Sequence, residues 1–202
     1  MSDVVLVDNG GANVASLVYA FERLGAEAVV SRDPAVIRAA RRVVLPGVGA
    51  AGNAMRMLGE RELEPVLRAL TQPVLGICLG MQLLCEHSEE DDTTCLGLIP
   101  ARLVRLVGTP ECPSPHMGWN SLQVRRPDPL LEGLDARAYV YFVHGFAAHP
   151  TDATLATSDH GTTFTAVLRA RNFWGTQFHP ERSSAAGARL LANFLTLDAS
   201  CS

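Results

Sequence analysis

The chain has 202 residues, 48% of them hydrophobic and 19% charged, with a net charge of -4 at neutral pH. That length suits one domain, 1–202, with a real core, and the small charged fraction leaves no room for long disorder. The mild acidity gives no reason to expect a nucleic-acid or anionic-membrane partner, and neither a signal-like start nor a run long enough to span a bilayer is visible. Five cysteines without a C-x-x-C pair argue against a disulfide framework and a zinc site, and fit thiols in a reducing cytoplasmic compartment.

In chain order, Val4-Val5-Leu6-Val7 reads as a buried strand ending in a glycine-rich turn, and residues 14–24 as an amphipathic helix. Ala28-Val29-Val30 is a second strand. Asp33 can cap the helix after it, with Pro34 at the favoured first position. Arg42-Val43-Val44-Leu45 leads into the loop Pro46-Gly47-Val48-Gly49, a helical stretch covers much of residues 53–70, and residues 73–77 form a further strand. Alternating strands and helices predict a parallel sheet with right-handed crossovers. Beyond residue 100 the runs shorten (101–106, 120–124, 138–143, 165–168), so this half is expected to be strand-rich. A last helix from Ser184 to Leu197 would pack on the sheet through Ala188, Leu191, Ala192 and Leu195.

The chemistry concentrates at Gly76-Ile77-Cys78-Leu79-Gly80, which reads as strand, sharp turn and helix with a cysteine at the apex. A nucleophile elbow crowds the residues two before and two after its apex, and glycine occupies both places. The following helix N-terminus favours a thiolate. Its base is expected in Gly175-Thr176-Gln177-Phe178-His179-Pro180-Glu181. If that segment runs extended, His179 and Glu181 point to one side, and the carboxylate orients the imidazole in a Cys-His-acid triad. Attack on an amide puts negative charge on its oxygen. The N–H of Leu79 supplies one donor for it and the loop around Val48 and Gly49 the other, with glycines on both sides of Val48 letting that peptide reorient.

Gly-Ile-Cys-Leu-Gly-Met-Gln with Gln-Phe-His-Pro-Glu resembles the signature of the class I, triad-type glutamine amidotransferases. Leu45-Pro46-Gly47-Val48-Gly49, Pro115-His116-Met117-Gly118-Trp119-Asn120 and Tyr141-Phe142-Val143-His144-Gly145 resemble, within that family, the glutaminase subunits of imidazole glycerol phosphate synthase. The match runs from Val4 to about Leu197. The resemblance implies a single α/β domain (core about 4–197), a mostly parallel central sheet flanked by helices and a strand-rich C-terminal half. It implies hydrolysis of L-glutamine by Cys78, His179 and Glu181, with Gln82, Gly47 and Gly49 at the substrate, and allosteric activation. Ammonia would pass through a channel to a (β/α)8 cyclase subunit in a heterodimer of histidine biosynthesis, with no cofactor or metal. Asn13, His116, Met117, Trp119, Asn120 and Arg182 would face that partner, whereas sequence alone favours a core role for Trp119 and leaves His144 structural or interfacial.

Two stretches depart from the usual pattern: Asp8-Asn9-Gly10-Gly11-Ala12-Asn13 stands where Asp-Tyr-Gly-x-Gly-Asn is common, and Gly145-Phe146 where Ser-Tyr is common. Open alternatives are the glutaminase of another amidotransferase and a catalytically silent regulatory homologue.

Overall fold

Strands β1 (Val4–Val7), β2 (Ala28–Ser31), β3 (Val43–Leu45) and β4 (Val74–Ile77) are short runs rich in branched aliphatic residues. All but β2 are buried at every residue, as strands covered on both faces must be. They pair in parallel in the order β2-β1-β3-β4. The computed structural model describes residues 2–10, 14–135 and 137–198.

Helices α1 (Ala15–Glu22), α2 (Pro34–Ala39), α3 (Ala51–Glu60) and α4 (Leu63–Arg68) fill the crossovers. Asp33 caps α2 as expected, accepting the Ala35 N–H with Pro34 in the first turn. The single helix expected over 53–70 is two helices, because Glu62 adopts a left-handed conformation (φ 54°) that no α-helix continues through. After β4 comes α5 (Leu79–Leu84), then the short strands β5 (His87–Ser88) and β6 (Thr93–Thr94).

The second half contains β7 (Arg102–Arg105), β8 (His116–Ser121), β9 (Gln123–Val124), β10 (Tyr139–His144), β11 (Phe146–Ala148), β12 (Thr154–Asp159), β13 (Thr163–Ala170) and β14 (Phe173–Thr176). It is strand-rich, as expected. β14 adds to β4 in parallel, while β13, β12 and β9 continue antiparallel, so the eight-stranded central sheet is mixed. β11, β7, β5 and β6 make a small second sheet, and β8 with β10 an antiparallel ribbon. The strand expected at 120–124 begins at His116, so the whole His-Met-Gly-Trp-Asn run lies on it. β12 escaped prediction because Thr-Leu-Ala-Thr-Ser-Asp looks like a polar loop. Pairing with β13 buries it and lets Thr154 Oγ1 meet Thr165 Oγ1 at 2.9 Å.

The period of two in the strands divides the core. Val5 and Val7 face the layer of α2–α5, and Val4 and Leu6 the layer of α1 and the last helix, α6 (Ser184–Phe194). The inward stripe of α6 is Gly187, Leu190, Leu191 and Phe194, which corrects the expected one: Ala188 is exposed, and Ala192 and Leu195 are only half-buried. Gly187 sets this rotation, since a Cβ there would lie 1.9 Å from the Pro180 carbonyl oxygen. Among the described residues no helix is long and apolar enough to cross a membrane.

Candidate active site

Cys78 sits between β4 and α5 with φ 53° and ψ -111°, a backbone conformation costly for any residue with a Cβ. The surroundings impose it. A Cβ at Gly76 would lie 2.7 Å from the Gly80 backbone, and one at Gly80 would lie 1.8 Å from the Leu45 carbonyl oxygen. The two glycines therefore let the end of β4 and the start of α5 pack against each other and against β3. Gly47 belongs to the same packing: its Cβ would meet Gly80 N and Leu79 Cβ at 2.9 Å.

His179 follows β14 in extended conformation (φ -96°, ψ 99°), the region the following proline favours. The chain then turns through a 3₁₀ segment, Pro180–Arg182, instead of continuing as the expected extended run. Glu181 reaches the imidazole through that turn, its Oε1 lying 2.9 Å from His179 Nδ1. Ser183 locks the turn to β10, donating to the His179 carbonyl (2.6 Å) and accepting the Tyr141 N–H (2.9 Å), while His179 N–H donates to Tyr141 O (3.0 Å).

Cys78 and His179 line one cavity of about 350 Å³ with Val48, Gly49, Leu79 and Gln82. Burial alone would lower the His179 pKa, but contact with Cys78 and Glu181 outweighs it and pushes the value up to about 10. The ring is therefore an imidazolium at neutral pH. Its Nε2 is buried without a hydrogen-bond partner. Cys78 Sγ lies 3.8 Å from the Val143 carbonyl oxygen and 3.8 Å from Gln177 Nε2. Catalytic hydrogen bonds are commonly loose before substrate arrives. By contrast, burial raises the thiols of Cys95, to about 11, and Cys85, further still, which suits packing and not nucleophilic chemistry.

The glycine loop is the opposite wall. Gly49 has φ 97° with open space where a side chain would be, and Val48 is 46% exposed. Gln82 reaches the cavity, but its Nε2 already donates to Phe146 O (3.3 Å) and Gln177 Oε1 (3.0 Å), leaving Oε1 as the group to offer a ligand. Gly47 underlies the elbow, as its contacts above require.

Several neighbours were given no role by the sequence. Asn9 is buried and donates from Nδ2 to Pro46 O at 2.8 Å, bracing the glycine loop at the place where the usual pattern has tyrosine. Glu90 lines the cavity and accepts the Ala51 N–H (2.8 Å) just past that loop. Gln177 stands beside the sulfur. Each is polar and lies far along the chain from what it touches, so no local spacing could reveal it.

On the β8–β10 ribbon, Met117 (66% exposed) and Trp119 (52%) point outward, which corrects the core reading of Trp119. Arg182 lies over the Tyr141 ring at 4.4 Å beside them. His116 does not belong to that face. It is buried against Phe142, and Asn120 turns the same way, toward Asp159 O (2.7 Å), because alternate residues of a strand face opposite sides. Asn13 lies outside the described residues.

Residues 5–197 match the family Glutamine amidotransferase class-I. The chain is 54% identical over 197 residues to the imidazole glycerol phosphate synthase subunit HisH of Xanthomonas euvesicatoria pv. vesicatoria, covering 98% of each. It is 49% identical over 201 residues to the HisH subunit of Vibrio cholerae, covering 96% of this chain and 98% of that one. Among solved structures, a putative GMP synthase subunit from Thermoplasma acidophilum superposes with a TM-score of 0.74 at 21% identity, covering 95% of this chain and 91% of that one, which speaks for the fold alone. With a family match over nearly its whole length, this chain belongs to the class-I glutamine amidotransferases.

Proposed function

We infer that this chain hydrolyses L-glutamine to glutamate and ammonia as the glutaminase subunit of an imidazole glycerol phosphate synthase in histidine biosynthesis. The observation that carries the chemistry is the strained Cys78 at the floor of a cavity shared with an imidazolium, His179, which is itself paired to Glu181 at 2.9 Å. In this reading the Cys78 thiolate attacks the side-chain carbonyl carbon of glutamine. Leu79 opens α5, where an N–H has no intrahelical acceptor, and gives the oxyanion one donor; the Val48–Gly49 peptide gives the second. His179 passes its proton to the departing nitrogen, ammonia leaves, and a thioester remains. Water then attacks that thioester with His179 taking its proton as base, which releases glutamate and restores the thiolate and the imidazolium. Glu181 holds the ring for both transfers, and Gln82, Gly47 and Gly49 shape the place of the substrate.

Ammonia loose in water becomes ammonium and ceases to be a nucleophile, so its use requires a closed route to the acceptor. The acceptor in this reading is a (β/α)8 cyclase in a one-to-one complex within the cytoplasm, docked on the face that carries Met117, Trp119 and Arg182. Cys78→Ala in that complex tests the assignment. Glutamine-dependent synthesis should fall by about four orders of magnitude or more, while synthesis from added ammonia continues. Loss of both activities in an assembled complex would refute Cys78 as the dedicated glutaminase nucleophile.

A further inference from the structure

From His144, which helps to line the cavity, runs a chain of polar contacts that the glutaminase chemistry above does not use. His144 Nδ1 is 2.8 Å from Phe146 O, His144 Nε2 is 3.0 Å from His116 Nδ1, and His116 Nε2 is 3.4 Å from Asn120 Nδ2. Both rings are buried. The direction of every bond follows from its ends. A carbonyl only accepts, so His144 Nδ1 carries the proton, its Nε2 accepts, and His116 must donate from Nδ1. His116 Nε2 then accepts from Asn120. That amide cannot be reversed without loss, since Asn120 Nδ2 also donates to Asp159 O (2.7 Å) and its Oδ1 accepts the Ser121 N–H (2.8 Å).

The chain continues past Phe146. Its carbonyl accepts a second hydrogen bond, from Gln82 Nε2 (3.3 Å), and Gln82 in turn donates to Gln177 Oε1 (3.0 Å), whose Nε2 lies 3.8 Å from Cys78 Sγ. One end of the path is thus on β8, between residues whose neighbours Met117 and Trp119 face solvent, and the other is at the nucleophile.

We propose that His116 and His144 are a neutral positioning pair that ties strand β8 to the Phe146 carbonyl and so sets Gln82 and Gln177 beside Cys78. The inference rests on the glutaminase reading of the pocket. A fold needing only bulk here would bury aliphatic residues, because two imidazoles out of water are costly unless every polar atom is matched. Here the match is complete and admits one arrangement. The groups facing the pair agree with neutrality: His160 stacks on His116 at 4.0 Å, the Asp159 carboxylate turns away to Gln123 and Thr163, and His179 already supplies the positive charge near His144. Burial lowers both pKa values, that of His144 to about 4 and that of His116 to about 3.

The first test needs no variant. In the ¹⁵N-histidine-labelled full chain, NMR should find both rings neutral and in the Nδ1–H form from about pH 5 to 8. An Nε2–H form, or protonation of either ring in that range, overturns the pair. The second test compares His144→Phe with His144→Asn in the complex with the cyclase, because asparagine can keep the donor at the Nδ1 position and phenylalanine cannot. Glutaminase kcat/KM should fall about tenfold in the first and largely recover in the second, as expected when a buried acceptor loses or keeps its donor. Equal losses in both, or none in either, reduce the pair to packing. His116→Phe against His116→Asn gives the same contrast should His144→Phe fail to fold. A wild-type complex with no glutaminase activity would instead sink the glutaminase reading, whereas active wild type with insensitive variants sinks only the pair.

Discussion

Residues 76–80 and the tip of the glycine loop, Val48–Gly49, bound the same pocket, and a methyl group added to the glycines of each would be received very differently. At Gly76 and Gly80 it would lie 2.7 Å and 1.8 Å from backbone atoms. At Gly49 it would meet nothing within 4 Å, and only the positive φ of 97° resists it. The elbow is therefore held by packing from every side, and the tip of the glycine loop by its own torsions alone. A nucleophile gains from being fixed, whereas an oxyanion donor that can turn away gives the enzyme a resting state. The backbone that holds the sulfur and the backbone proposed to complete the oxyanion hole thus differ in how closely they are packed.

The sharpest way to break this comparison is kinetic. If the Val48–Gly49 peptide supplies its donor only when a cyclase with bound nucleotide is present, glutaminase turnover should rise by about two to three orders of magnitude on assembly, the worth of one oxyanion donor at about 3 to 4 kcal/mol. Equal turnover of the free chain, the empty complex and the loaded complex would end the gating idea. A change only in the affinity for glutamine would move it from the oxyanion hole to substrate binding.

Next in size is the contrast between alanines at the two loops. Gly80→Ala should cost about 3 kcal/mol of stability or more, because backbone and not a flexible side chain stands in the way. Gly49→Ala should cost roughly 1 to 2 kcal/mol for its left-handed torsion and should depress the activated turnover more than the melting temperature. Denaturant unfolding and kinetics on the same samples decide it. Equal stability losses would mean that the loop is as tightly packed as the elbow.

The exposed ribbon extends the comparison from loops to surfaces. Trp119 is half-exposed against the edge of Tyr141, their ring centres 6.0 Å apart, while its strand neighbours His116 and Asn120 are turned inward. Trp119→Ala should weaken cyclase binding by about 2 kcal/mol in calorimetry and leave the melting temperature of the isolated chain nearly unchanged. The reverse pattern would make it a packing residue.

The last contrast is electrostatic. His179 titrates near 10, so Cys78→Ser and Glu181→Gln should each bring it down toward its ordinary 6.5 by removing a group that favours the imidazolium, as ring NMR shifts can report. The sign carries into stability. A raised folded-state value contributes stability that is complete below pH 6.5 and is lost as the pH rises through about 10, so the wild type should lose more stability across that interval than either variant. Variants that titrate like the wild type would show that burial geometry, and not these partners, holds the proton.

The sequence by itself determined the parts of this protein whose requirements are local. Glycines two places either side of Cys78 report the crowding of an elbow, Pro180 reports the extended backbone of His179, and Asp33-Pro34 reports a helix start, because in each case the constraint and the residue that meets it are neighbours. Short apolar runs alternating with helical hydrophobic patterns gave the parallel half for the same reason. Tertiary structure alone decided where distant residues meet. Asn9 on Pro46, Gln177 beside the sulfur and the His116–His144 pair depend on strands far apart in the chain lying side by side. β12 became a strand by pairing despite its polar composition, and α6 took its register from the approach of Gly187 to Pro180. Whether His116 or Trp119 faced solvent was likewise settled by the ribbon, since alternation along a strand says which residues share a face and only packing says which face is inside.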